Sequence, residues 1–179
     1  MGYESLSAGT KPPAEVNALI EIAKGGGAVK YEFDRVRGVL IVDRLRGGFM
    51  PYPENYGCIP ATLGEDGDPL DILVLSDEPI QPGAVIAARP IGVLRMSDEK
   101  GIDHKIIAVP AAHLTRAFDH IRSIDDLPAA QKQAIEFHFT HYKTLESAAG
   151  RHSQTAGWGD VAEAHNIIKR AIAREDAHW

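Results

Sequence analysis

Between Val29 and Asp34 apolar and charged residues alternate without a break. Val29, Tyr31 and Phe33 fall on one face and Lys30, Glu32 and Asp34 on the other, the period-two signature of a half-buried strand. Arg37-Gly38 then suits a hairpin turn, and the apolar run Val39 to Val42 predicts a buried return strand leading to Asp43-Arg44. Further strands are predicted at Ala18 to Ile22, where Glu21 is the lone acid, and at Ile72 to Leu75, whose continuous apolar character implies cover on both sides. Ala84 to Met96, bent at Gly92, and Lys105 to Val109 complete the set. The stretch from Gly47 to Gly57 reads as an irregular loop. Gly25-Gly26-Gly27 is a flexible connection and not a phosphate cradle, because no GK[ST] follows it.

Beyond Pro128 the period changes. Ile135, Phe139, Tyr142 and Leu145 keep the three-and-four spacing of a helix laid on a core, from Pro128 to Ala149, with Gly150 as its stop. Asp160-Val161-Ala162-Glu163 resembles a capping box ahead of a closing amphipathic helix carrying Val161, Ala164, Ile168 and Ala171. Strands followed by two C-terminal helices predict an α+β fold with a predominantly antiparallel sheet or a small barrel. With 179 residues and no linker-like stretch, a single domain over 1–179 is expected, its turn-rich residues 1–14 peripheral.

Charge and cysteine content narrow the partners. A formal net charge of −6 argues against a nucleic-acid-wrapping surface. The single cysteine, Cys58, excludes a disulfide framework and a cysteine zinc site, and it fits a reducing compartment. No apolar run approaches twenty residues, and the start lacks a signal-peptide core, so no membrane partner and a cytoplasmic location are expected.

The chemistry concentrates at Glu65-Asp66-Gly67-Asp68-Pro69-Leu70-Asp71, with four carboxylates in seven positions around a Gly and a Pro that shape a turn. Such crowding suits either a hard divalent cation or a solvated acidic turn, and this window alone does not choose between them. Further acids stand at Glu21, Glu32, Asp98 and Asp103, and phosphate-type donors at Lys30, Arg44, Lys105 and Lys143, with Tyr52, Tyr56 and Tyr142. Carboxylates without cysteine ligands select Mg2+ or Mn2+. Interleaved basic and phenolic groups supply donors to the oxygens of a metal-bound phosphate. His138 and His141, three apart on the first helix, have zinc spacing but no further ligand in register, which favours surface or subunit-contact histidines.

Asp66-Gly67-Asp68-Pro69-Leu70-Asp71 resembles the signature of the soluble inorganic pyrophosphatases of the OB-barrel type, family I, in their bacterial form. The resemblance extends through Ile20-Glu21-Ile22, Lys30-Tyr31-Glu32, Val42-Asp43-Arg44, Tyr52-Pro53-x-Asn55-Tyr56-Gly57, Leu94-Arg95-Met96-x-Asp98-Glu99 and His141-Tyr142-Lys143. It implies an OB-like barrel, a homohexamer, and Mg2+-dependent hydrolysis of pyrophosphate to two phosphates by in-line attack of a metal-activated water. Several Mg2+ ions per site are implied, with Mn2+ a possible substitute. It further implies Asp68 as general base and Asp66, Asp71, Asp98, Asp103 and Glu32 as metal ligands. Lys30, Arg44, Tyr56, Tyr142 and Lys143 would hold the phosphoryl groups, with Glu21, Tyr52 and Lys105 in support. Gly150-Arg151-His152-Ser153-Gln154 departs from the Lys-Trp-Val segment of many relatives, and Met50-Pro51 and the triple glycine are also unusual.

Three rivals are weaker. An EF-hand loop starting at Asp66 fails at its sixth position, Asp71, and its twelfth, Asp77. An oligonucleotide-binding barrel lacks a basic surface and a stacking platform. A phosphatase of organic phosphates would differ in substrate range.

Overall fold

A computed structural model describes residues 6–34, 37–46, 50–144 and 152–178. Nine strands, two α-helices and one 3-10 turn at Ile124–Asp126 are assigned among them. The strands are β1 (Val16–Ile22), β2 (Val29–Asp34), β3 (Val39–Leu45), β4 (Asn55–Cys58), β5 (Asp71–Val74), β6 (Val85–Asp98), β7 (Gly101–Ile102), β8 (Lys105–Pro110) and β9 (Ser153–Gly159). The helices are α1 (Ala129–His141) and α2 (Val161–His178).

Seven strands form one sheet in the order β1-β4-β5-β8-β6-β7, with β9 on β6, and β2 and β3 form a separate two-stranded sheet. β1 also pairs with β6, so the path β1-β4-β5-β8-β6 returns to its first strand. The pairings are antiparallel except β5 with β8, which run parallel and set Asp71 opposite Lys105. The fold is therefore α+β as expected, but not purely antiparallel.

Alternation within the central strands feeds two cores. Ile72, Val74, Ile106 and Ala108 pack with Ala164, Ile168 and Ala171 of α2, while Leu73, Leu75, Ile107 and Val109 pack with Ile135 and Phe139 of α1. Ile72 to Leu75 is thus covered on both sides. Burying each of the Val, Leu, Ile and Phe side chains contributes about 1.5–3 kcal/mol before conformational entropy is counted. Gly57 has no substitute here, since an added Cβ would meet the Leu19 carbonyl oxygen at 1.9 Å. Gly92 sits at a register shift between β6 and β8, where a Cβ would meet the Gly159 oxygen at 2.7 Å. The bend read from the sequence is at this position.

Several expectations need correction. The run Val39 to Val42 is not buried: β3 is the outer strand of the two-stranded sheet, and Val39 and Val42 are 45 % and 56 % exposed. Asn55–Cys58, read as loop, is a fully buried strand, and Ser153–Gly159 is a further strand that no pattern announced. α1 ends at His141, and residues 145–151, which include Leu145 and the expected stop at Gly150, lie outside the described residues, as do Gly47 and Gly48. His138 is not a surface residue. It is 2 % exposed, with its ring 4.4 Å from that of Tyr52 and 5.4 Å from that of Tyr142. His141 is at the surface, as expected. The Asp160 carboxylate does cap α2, accepting from the Glu163 N–H at 2.8 Å, but Glu163 does not return the bond. Its carboxylate takes the Arg95 guanidinium at 2.6 and 2.7 Å, tying α2 to β6.

Candidate active site

One open cleft collects groups from nearly every element. Glu21 comes from β1, Lys30 and Glu32 from β2, Arg44 from β3, Tyr56 from β4, Asp71 from β5, Asp98 from β6 and Lys105 from β8. Tyr52 lies in the loop before β4, Asp66 and Asp68 in the turn before β5, Asp103 between β7 and β8, and Tyr142 and Lys143 just beyond α1. All fourteen residues singled out from the sequence therefore line the same cleft. Sequence reasoning missed Arg46, Glu99 and Lys100, which line it too. Adjacency was the available signal: Glu99 and Lys100 continue the charged run from Asp98, and Arg46 follows Arg44 by two.

Local chemistry shapes the acidic turn. Gly67 takes φ +90°, a left-handed conformation that suits glycine, and the Asp66 Oδ1 accepts the Asp68 N–H at 3.2 Å. Gly64 N–H donates to the Asp68 carbonyl at 2.7 Å, and the buried Thr62 hydroxyl accepts the Leu70 N–H at 3.0 Å. The turn is thereby fixed where it joins β5.

Lysines stand among the acids. The Lys105 ammonium, 1 % exposed, donates to both Asp71 and Asp103, and it lies 5.8 Å from the Phe139 ring centroid and 5.9 Å from that of Tyr56. Lys143 Nζ donates to Asp98 at 2.7 Å and to Glu99 at 2.9 Å. Lys100 Nζ donates to Asp68 at 2.6 Å. Lys30 Nζ lies 3.1 Å from Asp43 and 3.5 Å from Glu32. Glu21, the lone acid of its apolar run, is buried and accepts the Phe33 N–H at 3.0 Å.

The electrostatics follow from burial and crowding. Burial, then the nearby Asp71, pushes the Glu21 carboxyl up to about 8. Burial lifts Asp103 to about 7, with Lys105 working against it, and burial also raises Asp66. Burial alone would lower Lys105, but Asp71 and Asp103 outweigh it and hold the ammonium charged. Burial similarly opposes ionisation of Asp98, and the hydrogen bonds from Lys143 and the Lys100 N–H overcome it. Burial raises Tyr52 to about 12 and lifts Tyr56 and Tyr142 well above the usual phenol range, so all three remain neutral hydrogen-bond donors.

Among the described residues no three acidic, histidine or cysteine side chains stand together as a ready-made metal cage. The ammonium groups sit where carboxylates would otherwise converge. The donor chemistry nevertheless fits a hard divalent cation: eight carboxylates and no imidazole line the cleft. Oxygen ligands beside cationic and phenolic donors are the equipment for a small polyanion handled together with hard cations.

Comparison with known proteins agrees with that class. A model of the inorganic pyrophosphatase family matches residues 18–176. The inorganic pyrophosphatase of Brucella melitensis is 47 % identical over 174 residues, covering 97 % of this chain and 98 % of its own. That of Rickettsia prowazekii is 50 % identical over 160 residues, covering 89 % and 92 %. The crystal structure of inorganic pyrophosphatase from Thermus thermophilus superposes with a TM-score of 0.91 at 43 % identity, covering 98 % of this chain and 99 % of that one. The chain belongs to the inorganic pyrophosphatase family, and so to the hydrolases. Among the described residues no helix is long and apolar enough to cross a membrane.

Proposed function

We propose that this chain hydrolyses inorganic pyrophosphate to two phosphates with Mg2+, Mn2+ serving as a substitute, and that Asp68 is the general base. The observation that carries the reading is the convergence of all fourteen residues on one cleft, with the acids interleaved by cations. Asp66, Asp71, Asp98, Asp103 and Glu32 would hold the ions. Mg2+ bound there supplies charge neutralisation and a lower water pKa. Asp68 accepts the proton of the attacking water. The water oxygen bonds to one phosphorus, the bridging P–O bond on the opposite side breaks, and the second phosphate leaves with the bridging oxygen. Lys30, Arg44, Tyr56, Tyr142 and Lys143 bind the phosphoryl oxygens and neutralise the charge that gathers on the departing phosphate. Glu21, Tyr52 and Lys105 hold this set in place. Steady-state phosphate release with Mg2+ tests the proposal. Pyrophosphate should turn over fast, and nucleotides and sugar phosphates slowly or not at all; equal rates on organic phosphates would refute it.

Three further properties belong to the same proposal. The return of the strand path to β1 supports a small closed barrel of the OB type over residues of a single 1–179 domain. A cytoplasmic location rests on the single, buried Cys58, and cell fractionation would test it. A homohexamer is what the family resemblance implies, and the exposed Phe137, stacked on His141 at 4.2 Å, is an apolar group that a subunit contact on α1 would cover. Light scattering should return six times the 19.4 kDa chain mass, and a monomer mass would exclude it.

A further inference from the structure

Four lysines sit on acids of the cleft, and three of them, Lys30, Lys105 and Lys143, were recognisable from the resemblance. The fourth, Lys100, is the one that contacts the proposed base. Its ammonium donates to Asp68 Oδ2 at 2.6 Å across 32 positions of sequence, joining the β6–β7 turn to the acidic turn ahead of β5.

The attachment of Lys100 is not casual. Its own N–H donates to Asp98 Oδ1 at 2.8 Å, Asp98 pairs with Gly101, and Gly101 takes φ +126° to close the two-residue turn. The Cα is thereby fixed at the rim, and the long side chain is aimed into the field of Asp68, Asp66 and Glu32. Unlike Lys105, which is 1 % exposed, the Lys100 and Asp68 side chains are 56 % and 46 % exposed. A pair so well hydrated opens at little cost, whereas the buried Lys105 is locked between its two acids. Lys100 therefore has the position of a counter-ion and the freedom to leave it.

We propose that Lys100 is a positioning residue that acts as a built-in, displaceable counter-ion: its ammonium neutralises the acidic turn in the metal-free protein, withdraws as divalent cations enter, and so sets their affinity. The inference rests on the proposal that the cleft binds such cations. A positive charge a few ångströms from a divalent cation opposes its entry even where solvent screens it. Removing that charge should tighten binding and not weaken it, the opposite of what removing a purely structural tie would do.

Calorimetric titration of Mn2+ into the metal-free protein tests this on wild type, Lys100→Gln, Lys100→Arg and Lys11→Gln. Lys11, exposed near the amino terminus and outside the cleft, controls for net charge. Lys100→Gln should bind the first Mn2+ roughly three- to tenfold more tightly than wild type, a size set by Coulomb interaction at partly screened range. Lys100→Arg and Lys11→Gln should stay close to wild type. Unchanged or weaker binding by Lys100→Gln overturns the role of Lys100 while leaving the proposed function intact. No binding by the wild type would overturn both, so the two failures are distinguishable.

Discussion

Asp68→Asn is expected to lower kcat on pyrophosphate by about 10²–10⁴-fold, the usual contribution of a positioned general base, while the thermal transition stays within a few degrees of wild type. The separation of the two effects is the informative part. Asp68 projects from a turn whose shape is set elsewhere, by the left-handed Gly67, the Asp66 side chain and the Thr62 hydroxyl. Asn keeps the size of the side chain and removes its ability to accept a proton. The substitution breaks the ion pair with Lys100, and with both partners about half exposed that pair is worth no more than about 1 kcal/mol. Activity and stability are read on the same preparation, phosphate release against calorimetric Tm. A fully active Asp68→Asn protein would remove Asp68 from the base role, and a large fall in Tm would show that its carboxylate holds the turn.

How far such residues were legible depended on whether their role is written locally. The turn at Asp66 to Asp71 is, as a shape, because Gly67 and Pro69 among carboxylates set a bend, although its metal-binding role needed the other acids and the wider resemblance. So are Ile72 to Leu75 and Lys105 to Val109, whose apolar runs are long enough to feed cores on both faces. β4 was not, because Asn55-Tyr56-Gly57-Cys58 follows Pro51 and Pro53 and carries no alternation. It becomes a strand through its neighbours β1 and β5, and Gly57 lets the Leu19 carbonyl come close. β9 is polar and glycine-bearing, and its partner β6 defines it. Val39 to Val42 failed the other way: an apolar run reads as buried, yet β3 pairs with β2 in a two-stranded sheet that leaves Val39 and Val42 exposed. Lys100 illustrates the same limit within the site, since nothing local says that a loop lysine will meet an acid 32 positions away.

Lys105→Met should destabilise the metal-free protein by about 3–5 kcal/mol, the size expected when one partner of a buried ion pair is removed. Methionine fills a similar volume, so the loss is electrostatic and not a cavity. The parallel register of β5 and β8 places Asp71 directly opposite Lys105, and Asp103 sits two positions ahead of it, so one ammonium serves two acids that have few other ways to be neutralised. Without it the two carboxylates face one another in a buried corner, and proton uptake is their remaining relief. For a chain of this length each kcal/mol shifts Tm by roughly 2–4 °C, which puts the expected fall at roughly 6–20 °C. The decisive measurement repeats the melt with saturating Mg2+. A divalent cation held by Asp71 and Asp103 supplies the charge that the lysine gave up, so Mg2+ should raise the Tm of Lys105→Met by more than it raises that of wild type. An equal Mg2+ increment in the two proteins would mean that these acids do not hold the ion, and the metal-ligand assignment of Asp71 and Asp103 would have to be withdrawn.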